Sequence, residues 1–439
     1  MDALVIGAGI SGLSTAYALH RRGLKVKLLE ASSRVGGVIR SERKSGYLLE
    51  YGPNSLIASV PTAELIEELG LQQQVVESDG RAPRYIYADG RLQRVGPQVL
   101  FSGSLLSLRG RLRLLAEPFI RSRAATADES VEAFVVRRLG REVHDRLFSP
   151  FVTGVYAGNT ALMSVAACFP QLVALEAEYG SIVYGALRSR MRTQKRVKRS
   201  LYSFKDGLSA LPSAIAARLG DAIELSRPAE HLEVSASSPR YRVVTAGREY
   251  SSDRLILTLP APEAARLLEA SLPELAKELR HIEYVSLGVV YLSYDLAELG
   301  RDLHGFGFLI PRSEGLETLG AIWSSSLFPN RAPAGKALLT CFIGGAHNPK
   351  AATLSDKELS GKVSAELSHI LETSAHPEIV DVWKMARAIP QYTLGHSDRL
   401  RRISRMLENT PGLTLAGNYL QGVSVPDCID RGLKTASSL

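Results

Sequence analysis

The chain has 439 residues, 45% of them hydrophobic and 22% charged, with a formal net charge of +8. That length suits two or three domains with sizeable cores, and the composition excludes a disordered or fibrous chain. The three cysteines, Cys168, Cys341 and Cys428, show no CxxC and no metal-ligand spacing, so no disulfide framework and no metal site is expected; they read as buried thiols in a reducing compartment.

The N-terminus passes directly into apolar residues 3–6, with no charged n-region before them, and no leader peptide is expected. No apolar run reaches the roughly 18–20 residues that span a bilayer. Residues 3–6 predict a buried parallel strand, Gly7-Ala8-Gly9-Ile10-Ser11-Gly12 a turn, 13–22 a helix ending at Gly23, and 26–29 a second strand closed by Glu30. In this βαβ unit Gly7 makes the turn, Gly9 lets the backbone approach a pyrophosphate and Gly12 lets the helix pack on the strand. Glu30 suits the hydroxyls of an adenosine ribose and repels a 2′-phosphate. Arg34-Val35-Gly36-Gly37 follows the acid, and then Gly52-Pro53-Asn54-Ser55. This order resembles the extended fingerprint of the amine-oxidase-like flavoproteins, whose Arg-x-Gly-Gly turn adds a second pyrophosphate contact, and it implies non-covalent FAD.

Residues 62–69 predict a helix, and 85–87 with 92–95 a hairpin around Asp89-Gly90. Residues 81–199 hold 20 Lys and Arg against 9 Asp and Glu, which leaves the rest of the chain slightly acidic. Within this block Leu105, Leu108, Leu112, Leu115 and Phe119 recur at helical spacing among Arg109, Arg111, Arg113, Arg121 and Arg123. Such a segment either lies on an anionic membrane surface or packs on its neighbours with a solvated basic face; Gly110 and Pro118 interrupt it. Helices follow at 129–139 and 142–148, with a glycine-rich bend at 153–158. Residues 188–199 carry seven Lys and Arg and no acid, a solvated face or a membrane contact. No nucleic-acid motif accompanies the charge.

Strands are predicted at 222–225, 232–234, 241–245 and 255–259, and a helix at 262–271. A mostly antiparallel sheet is predicted from 285–294, 305–310, 318–324 and 337–343, a natural wall for a substrate cavity. A helix follows at 354–371. A strand at 413–416 leads through Gly417-Asn418 and Gly422-Val423-Ser424-Val425 into a short last helix, whose N–H groups and dipole suit an electron-rich ring edge.

Taken together, the chain resembles the oxygen-dependent protoporphyrinogen oxidases over essentially its whole length. The resemblance rests on the glycine turn with Glu30, Gly52-Pro53-Asn54-Ser55, Ala82-Pro83-Arg84, Gly154-Val155-Tyr156-Ala157-Gly158, Gly305-Phe306-Gly307, Ser325-Ser326-Leu327-Phe328-Pro329 and Gly417-Asn418 with Gly422-Val423. It implies an α/β fold in three parts. A Rossmann-like FAD-binding domain of the GR2, amine-oxidase-like type takes 1–80, 200–270 and 385–439. A helical, basic, membrane-facing block takes 81–199, and an α+β substrate domain takes 271–384. Ala31 and Ala229 join the implied cofactor set. Arg84 then pairs with a substrate propionate, Leu309 and Phe328 sandwich the tetrapyrrole, Asn54 lies near flavin and substrate, and Gly154 and Gly158 let backbone approach the macrocycle.

The implied reaction oxidises protoporphyrinogen IX to protoporphyrin IX by successive hydride transfers to FAD, with O2 as acceptor and H2O2 as product. No protein acid–base pair is assigned. The enzyme is expected in the cytoplasm, peripherally on the membrane, with a ferrochelatase contact and an oligomer both open. Coproporphyrinogen III is the alternative substrate. An amine oxidase or carotenoid desaturase fits less well, because Gly417-Asn418-Tyr419 departs from the amine-oxidase ending. A non-catalytic flavin- or porphyrin-binding partner protein is the remaining alternative.

Overall fold

A computed structural model describes residues 1–96, 105–122, 128–192 and 200–439. Arg123 and residues 193–199 of the basic run lie outside the described residues.

Ala3–Ile6 is the middle of a five-stranded parallel sheet ordered Leu413–Leu415, Leu255–Leu257, Ala3–Ile6, Val26–Leu29, Ile223–Glu224. Three separated stretches of chain thus build one sheet. Both faces are covered, so the strands are apolar on both sides. Ala3 and Val5 join a core with helices Ile10–Arg21, Ala210–Leu219 and Val425–Ser437. Leu4 and Ile6 face helices Ala261–Leu268 and Pro273–Arg280 and the antiparallel meander of residues 231–252.

A second, seven-stranded sheet runs Glu378–Pro390, Tyr284–Asp295, Lys336–Gly344, Thr318–Trp323, Gly307–Leu309, Arg84–Ala88, Arg91–Val95. It corrects two sequence expectations. The 84–95 hairpin, grouped above with the helical block, completes this sheet through a parallel pairing of Arg84 with Gly307 and Ile86 with Leu309. The edge strand Glu378–Pro390, not expected at all, crosses the 384/385 boundary drawn from sequence. Helix Asp356–Ile370, started by a Ser355/Glu358 capping box, buries Leu359, Val363 and Leu367 on one sheet face. The opposite face carries Arg84, Ile86, Leu309, Ile322, Thr340 and Phe342, because residues paired across strands share a face.

In the remaining block, the bend expected at 153–158 begins later: Ser149–Tyr156 is helical through Gly154 and ends at Ala157, which is left-handed. The basic segment forms a helix only over Leu108–Leu115, capped by Ser107 and followed by the tight turn Glu117–Phe119. Leu105 is buried, but Leu108, Leu112, Leu115 and Phe119 are 71%, 58%, 58% and 90% exposed. Among the described residues the apolar row therefore faces outward instead of packing on a neighbour. Behind it, the buried Glu117 carboxylate pairs with Arg138 and accepts from Ser181 Oγ and from the Ile182 and Val183 N–H groups at 3.0 and 3.2 Å. Among the described residues no helix is long and apolar enough to cross a membrane.

Candidate active site

The first strand ends at Gly7, whose φ of +104° favours glycine and whose N–H donates to Leu29 O at 2.7 Å. A Cβ on Gly12 would overlap the Gly7 carbonyl and sit 2.5 Å from Thr258 Oγ1. That proximity lets the helix begin directly over the strand. Gly9 differs: it is the helix N-cap, and its missing Cβ would meet nothing within 4 Å. The protein leaves that space open beside free helix N–H groups, which is what a pyrophosphate requires. Gly36 N–H donates to Ala8 O at 2.8 Å, and Gly37 packs against Gly9, so the second glycine turn lines the same opening.

The Arg34 guanidinium folds back on its own turn, donating to the carbonyls of Val35, Ile39 and Gly37 at 3.2, 3.3 and 2.7 Å. It shapes the turn that lines the opening. Glu30 Oε2 accepts from the Ala8 N–H at 2.7 Å, and Oε1 accepts from the Ser32 N–H and Oγ at 2.9 and 2.8 Å, which leaves a lone pair on Oε2 for a ribose hydroxyl. Ala31 is exposed beside it. The Arg227 N–H donates to Glu30 O at 2.8 Å, and Ala229 lies buried just beyond.

The last helix, Val425–Ser437, runs alongside the fingerprint helix in the same direction. Gly432 backs onto Ser14 Cβ at 2.9 Å, Thr15 Oγ1 donates to Gly432 O at 3.2 Å, and Arg22 donates to Ala436 O. Ser424 caps its N-terminus with Asp427 in a capping box, and Gly422, just before it, has φ +77°. Two positive helix ends therefore lie on the same side of the parallel sheet. Upstream, Tyr392 donates its phenol proton to Asn418 O and stacks on His396 at 4.5 Å, fixing the Gly417-Asn418 turn.

On the seven-stranded sheet, Arg84 is exposed and its guanidinium lies 5.3 Å above the Phe306 ring. Leu309, half-buried two rungs along, touches the place where a Gly154 Cβ would stand, at 2.8 Å. Phe328 is buried and lines a small cavity with Asn54, Glu50, Ser324, Arg331 and Thr340. Asn54 Nδ2 donates to Gly52 O at 3.2 Å, and Gly52 and Pro53 hold the turn that carries Asn54 and Ser55. Arg331 stacks over the Phe328 ring at 5.4 Å and reaches Glu50 at 3.2 Å.

The family model for flavin containing amine oxidoreductases matches residues 10–439. The chain belongs to that family. The chloroplastic protoporphyrinogen oxidase of Nicotiana tabacum is 34% identical over 467 residues, covering 100% of this chain and 85% of the relative. The coproporphyrinogen III oxidase of Bacillus subtilis is 27% identical over 460 residues, covering 99% and 97%. A solved structure from Exiguobacterium sp., assigned provisionally as a protoporphyrinogen oxidase, superposes with a TM-score of 0.83 at 27% identity, covering 100% of this chain and 98% of that one.

As a member of the flavin-containing amine oxidoreductases, the chain is an FAD-dependent oxidoreductase. The open space at Gly9 and the paired helix ends fit the cofactor. Gly7 to Gly12, Gly36 and Gly37 would hold its pyrophosphate, Glu30 its ribose, and the Gly52–Ser55 and Gly417–Val425 turns its ring.

The site brings together Asn54 with Phe328, and Arg84 with Leu309. Two further residues from the sequence serve packing within the chain: Gly154 admits Leu309, and Gly158 admits Met163 and Gln391, whose Oε1 would lie 2.6 Å from its Cβ. Sequence reasoning missed Glu50, Arg331, Tyr392 and Gly432. Burial pushes the Glu50 carboxyl up to about 7 against the pull of Arg331, and burial also lowers Arg331.

Proposed function

We propose that the chain oxidises protoporphyrinogen IX to protoporphyrin IX, with FAD as cofactor and O2 as final acceptor. The observation that carries this is the charge of the sheet face beside Leu309. In the two cross-strand rows through Gly307 and Leu309, Arg84 is the one basic side chain, and it makes no ion pair among the described residues. Its neighbours there are Ile86, Ile322, Thr340 and Phe342. A macrocycle with propionates along one edge and apolar substituents elsewhere matches one free guanidinium on an apolar wall. Coproporphyrinogen III, with propionates on all sides, would place carboxylates on that wall away from Arg84, where the nearest guanidinium, Arg331, is buried and already paired with Glu50. It stays the second substrate because of the name of the Bacillus subtilis relative.

When bound, FAD supplies the two-electron acceptor for the macrocycle's carbon–hydrogen bonds. The chain supplies position and dryness. Arg84 fixes one propionate edge, Leu309 and Phe328 flank the ring, and Asn54 holds the near side beside the flavin turns. The outward row Leu108, Leu112, Leu115 and Phe119, with the exposed Arg109 nearby, suits a peripheral seat on the cytoplasmic face of an anionic membrane.

Anaerobic mixing tests the reaction. Protoporphyrinogen IX should bleach the flavin absorbance of the loaded protein, and air should restore it with release of hydrogen peroxide. A flavin that stays oxidised in excess porphyrinogen would overturn the proposal.

A further inference from the structure

Oxidising a porphyrinogen removes protons from pyrrole nitrogens as well as electrons from carbon, and a site closed to water needs a group to receive them. We propose that Glu50 is that group, taking up pyrrole protons across the cavity it shares with Asn54 and Phe328 and releasing them through Ser41. The inference rests on the porphyrinogen reading above.

The geometry begins with the Tyr47–Glu50 strand, whose last side chain is only 4% exposed. One Glu50 oxygen accepts from Ser41 Oγ at 2.5 Å; the other accepts from the Leu208 N–H at 2.9 Å and lies 3.2 Å from Arg331. Asn54 and Phe328, the two substrate-side residues, line the same cavity. Arg331 lines the cavity too, and its Nη1 is buried with no hydrogen-bond partner among the described residues. Buried donors without acceptors are rare. The hydroxyls of Ser324 and Thr340, 2.8 Å apart, line the cavity as well. Outward, Ser41 is half-buried, and its Oγ accepts from the Ser209 N–H at 3.0 Å. The path from cavity to surface is one carboxyl and one hydroxyl long.

The charged and titratable groups around Glu50 are few. Arg331 faces it directly, and Arg43 stands behind Arg331, paired with Asp206 at 3.0 Å. The Tyr291 phenol donates to the Glu50 main-chain carbonyl at 2.7 Å. Burial raises the carboxyl to about 7, which suits a group that must take and give a proton near neutrality. In the step itself a hydride leaves the carbon bridging the pyrroles for the two-electron acceptor that bound FAD would supply, the pyrrole N–H bond breaks, its electron pair stays on nitrogen to form the carbon–nitrogen double bond, and an O–H bond forms on Glu50. The carboxyl then returns that proton to water by way of Ser41.

Glu50 also ties residue 41, residue 208 and Arg331 together, so a purely structural role is the competing account, and pH profiles separate the two. In wild type, kcat for porphyrinogen oxidation should rise with pH through about 7. Glu50→Gln should lower kcat about 100-fold or more and flatten that limb with FAD content unchanged, whereas Glu50→Asp should keep a pH-dependent limb and recover part of the rate. A loaded Glu50→Gln enzyme with the wild-type profile overturns the proposal. If Glu50→Gln fails to fold or to load FAD, Ser41→Ala decides: a displaced limb or a lower kcat supports the relay, and an unchanged profile and rate overturn it. A wild-type enzyme that oxidises no porphyrinogen would instead refute the substrate reading.

Discussion

The carbonyl oxygen of Gly7 occupies the place where a side chain on Gly12 would begin, while the corresponding place on Gly9 is open space. The two glycines of one fingerprint therefore have separable roles. Gly12→Ala should destabilise the apo-protein by about 1–3 kcal/mol, since neither the backbone of the turn nor Thr258 can yield cheaply. Gly9→Val should leave apo stability within about 1 kcal/mol, as expected at an N-cap, but abolish FAD binding. Thermal melts and flavin absorbance of both variants check this; a yellow Gly9→Val protein would refute the assignment.

Arg84 stands exposed over Phe306 without an ion-pair partner among the described residues, so its removal leaves no buried charge behind. Arg84→Ala should keep fold and FAD content. A charge-assisted hydrogen bond is worth about 1.5–3 kcal/mol, which predicts a KM roughly 10- to 100-fold higher. Because the propionate contact is the same in ground and transition state, kcat should change little. Steady-state kinetics checks it, and an unchanged KM removes Arg84 from the substrate site.

How much of this was legible in the sequence follows from how local each feature is. The fingerprint turn is readable because Gly7, Gly9 and Gly12 act within one turn of chain, with Glu30 closing the same βαβ unit. The strand Glu378–Pro390 was not, because it carries extra residues opposite Val285–Leu287 and Tyr291–Leu292 that break its own two-residue period. Gly154 looked like a bend but sits in a helix, since only the distant Leu309 explains the glycine. The pairing of Arg84 with Gly307 and of Glu50 with Arg331 joins residues far apart in the chain, and no local pattern announces such contacts. Exposure of Leu108, Leu112 and Leu115 likewise depends on what fails to cover them, so the same periodicity fitted both accounts of that segment.

The outward row predicts a membrane contact that can be removed without touching the fold. Leu112→Glu and Phe119→Glu alter exposed side chains and should shift stability by no more than about 0.5 kcal/mol. Each should weaken sedimentation with anionic vesicles roughly tenfold or more, given about 1.5–3 kcal/mol for burying such a side chain. Equal binding of wild type and both variants would assign the row another role.

The buried pair beneath that row makes a stability prediction with a defined pH sense. Burial pushes the Glu117 carboxyl up, but hydrogen bonds from Ser181, Ile182 N–H, Arg138 and Val183 N–H outweigh it and hold the group below its usual range. A depressed carboxyl contributes stability above its unfolded pKa, so the contribution should be complete above about pH 5 and fade as the pH falls through the folded value. Arg138→Met, which strands the Glu117 charge, should cost about 3–5 kcal/mol at neutral pH. The penalty should shrink in acid; one that is constant with pH would contradict the account of the pair.

The most direct test of the central claim compares kcat/KM for protoporphyrinogen IX and coproporphyrinogen III, followed by porphyrin fluorescence in air with heat-killed protein as the blank. One free arginine on an apolar wall predicts faster turnover of protoporphyrinogen IX. A preference for coproporphyrinogen III, or turnover of neither by FAD-loaded protein, would contradict it.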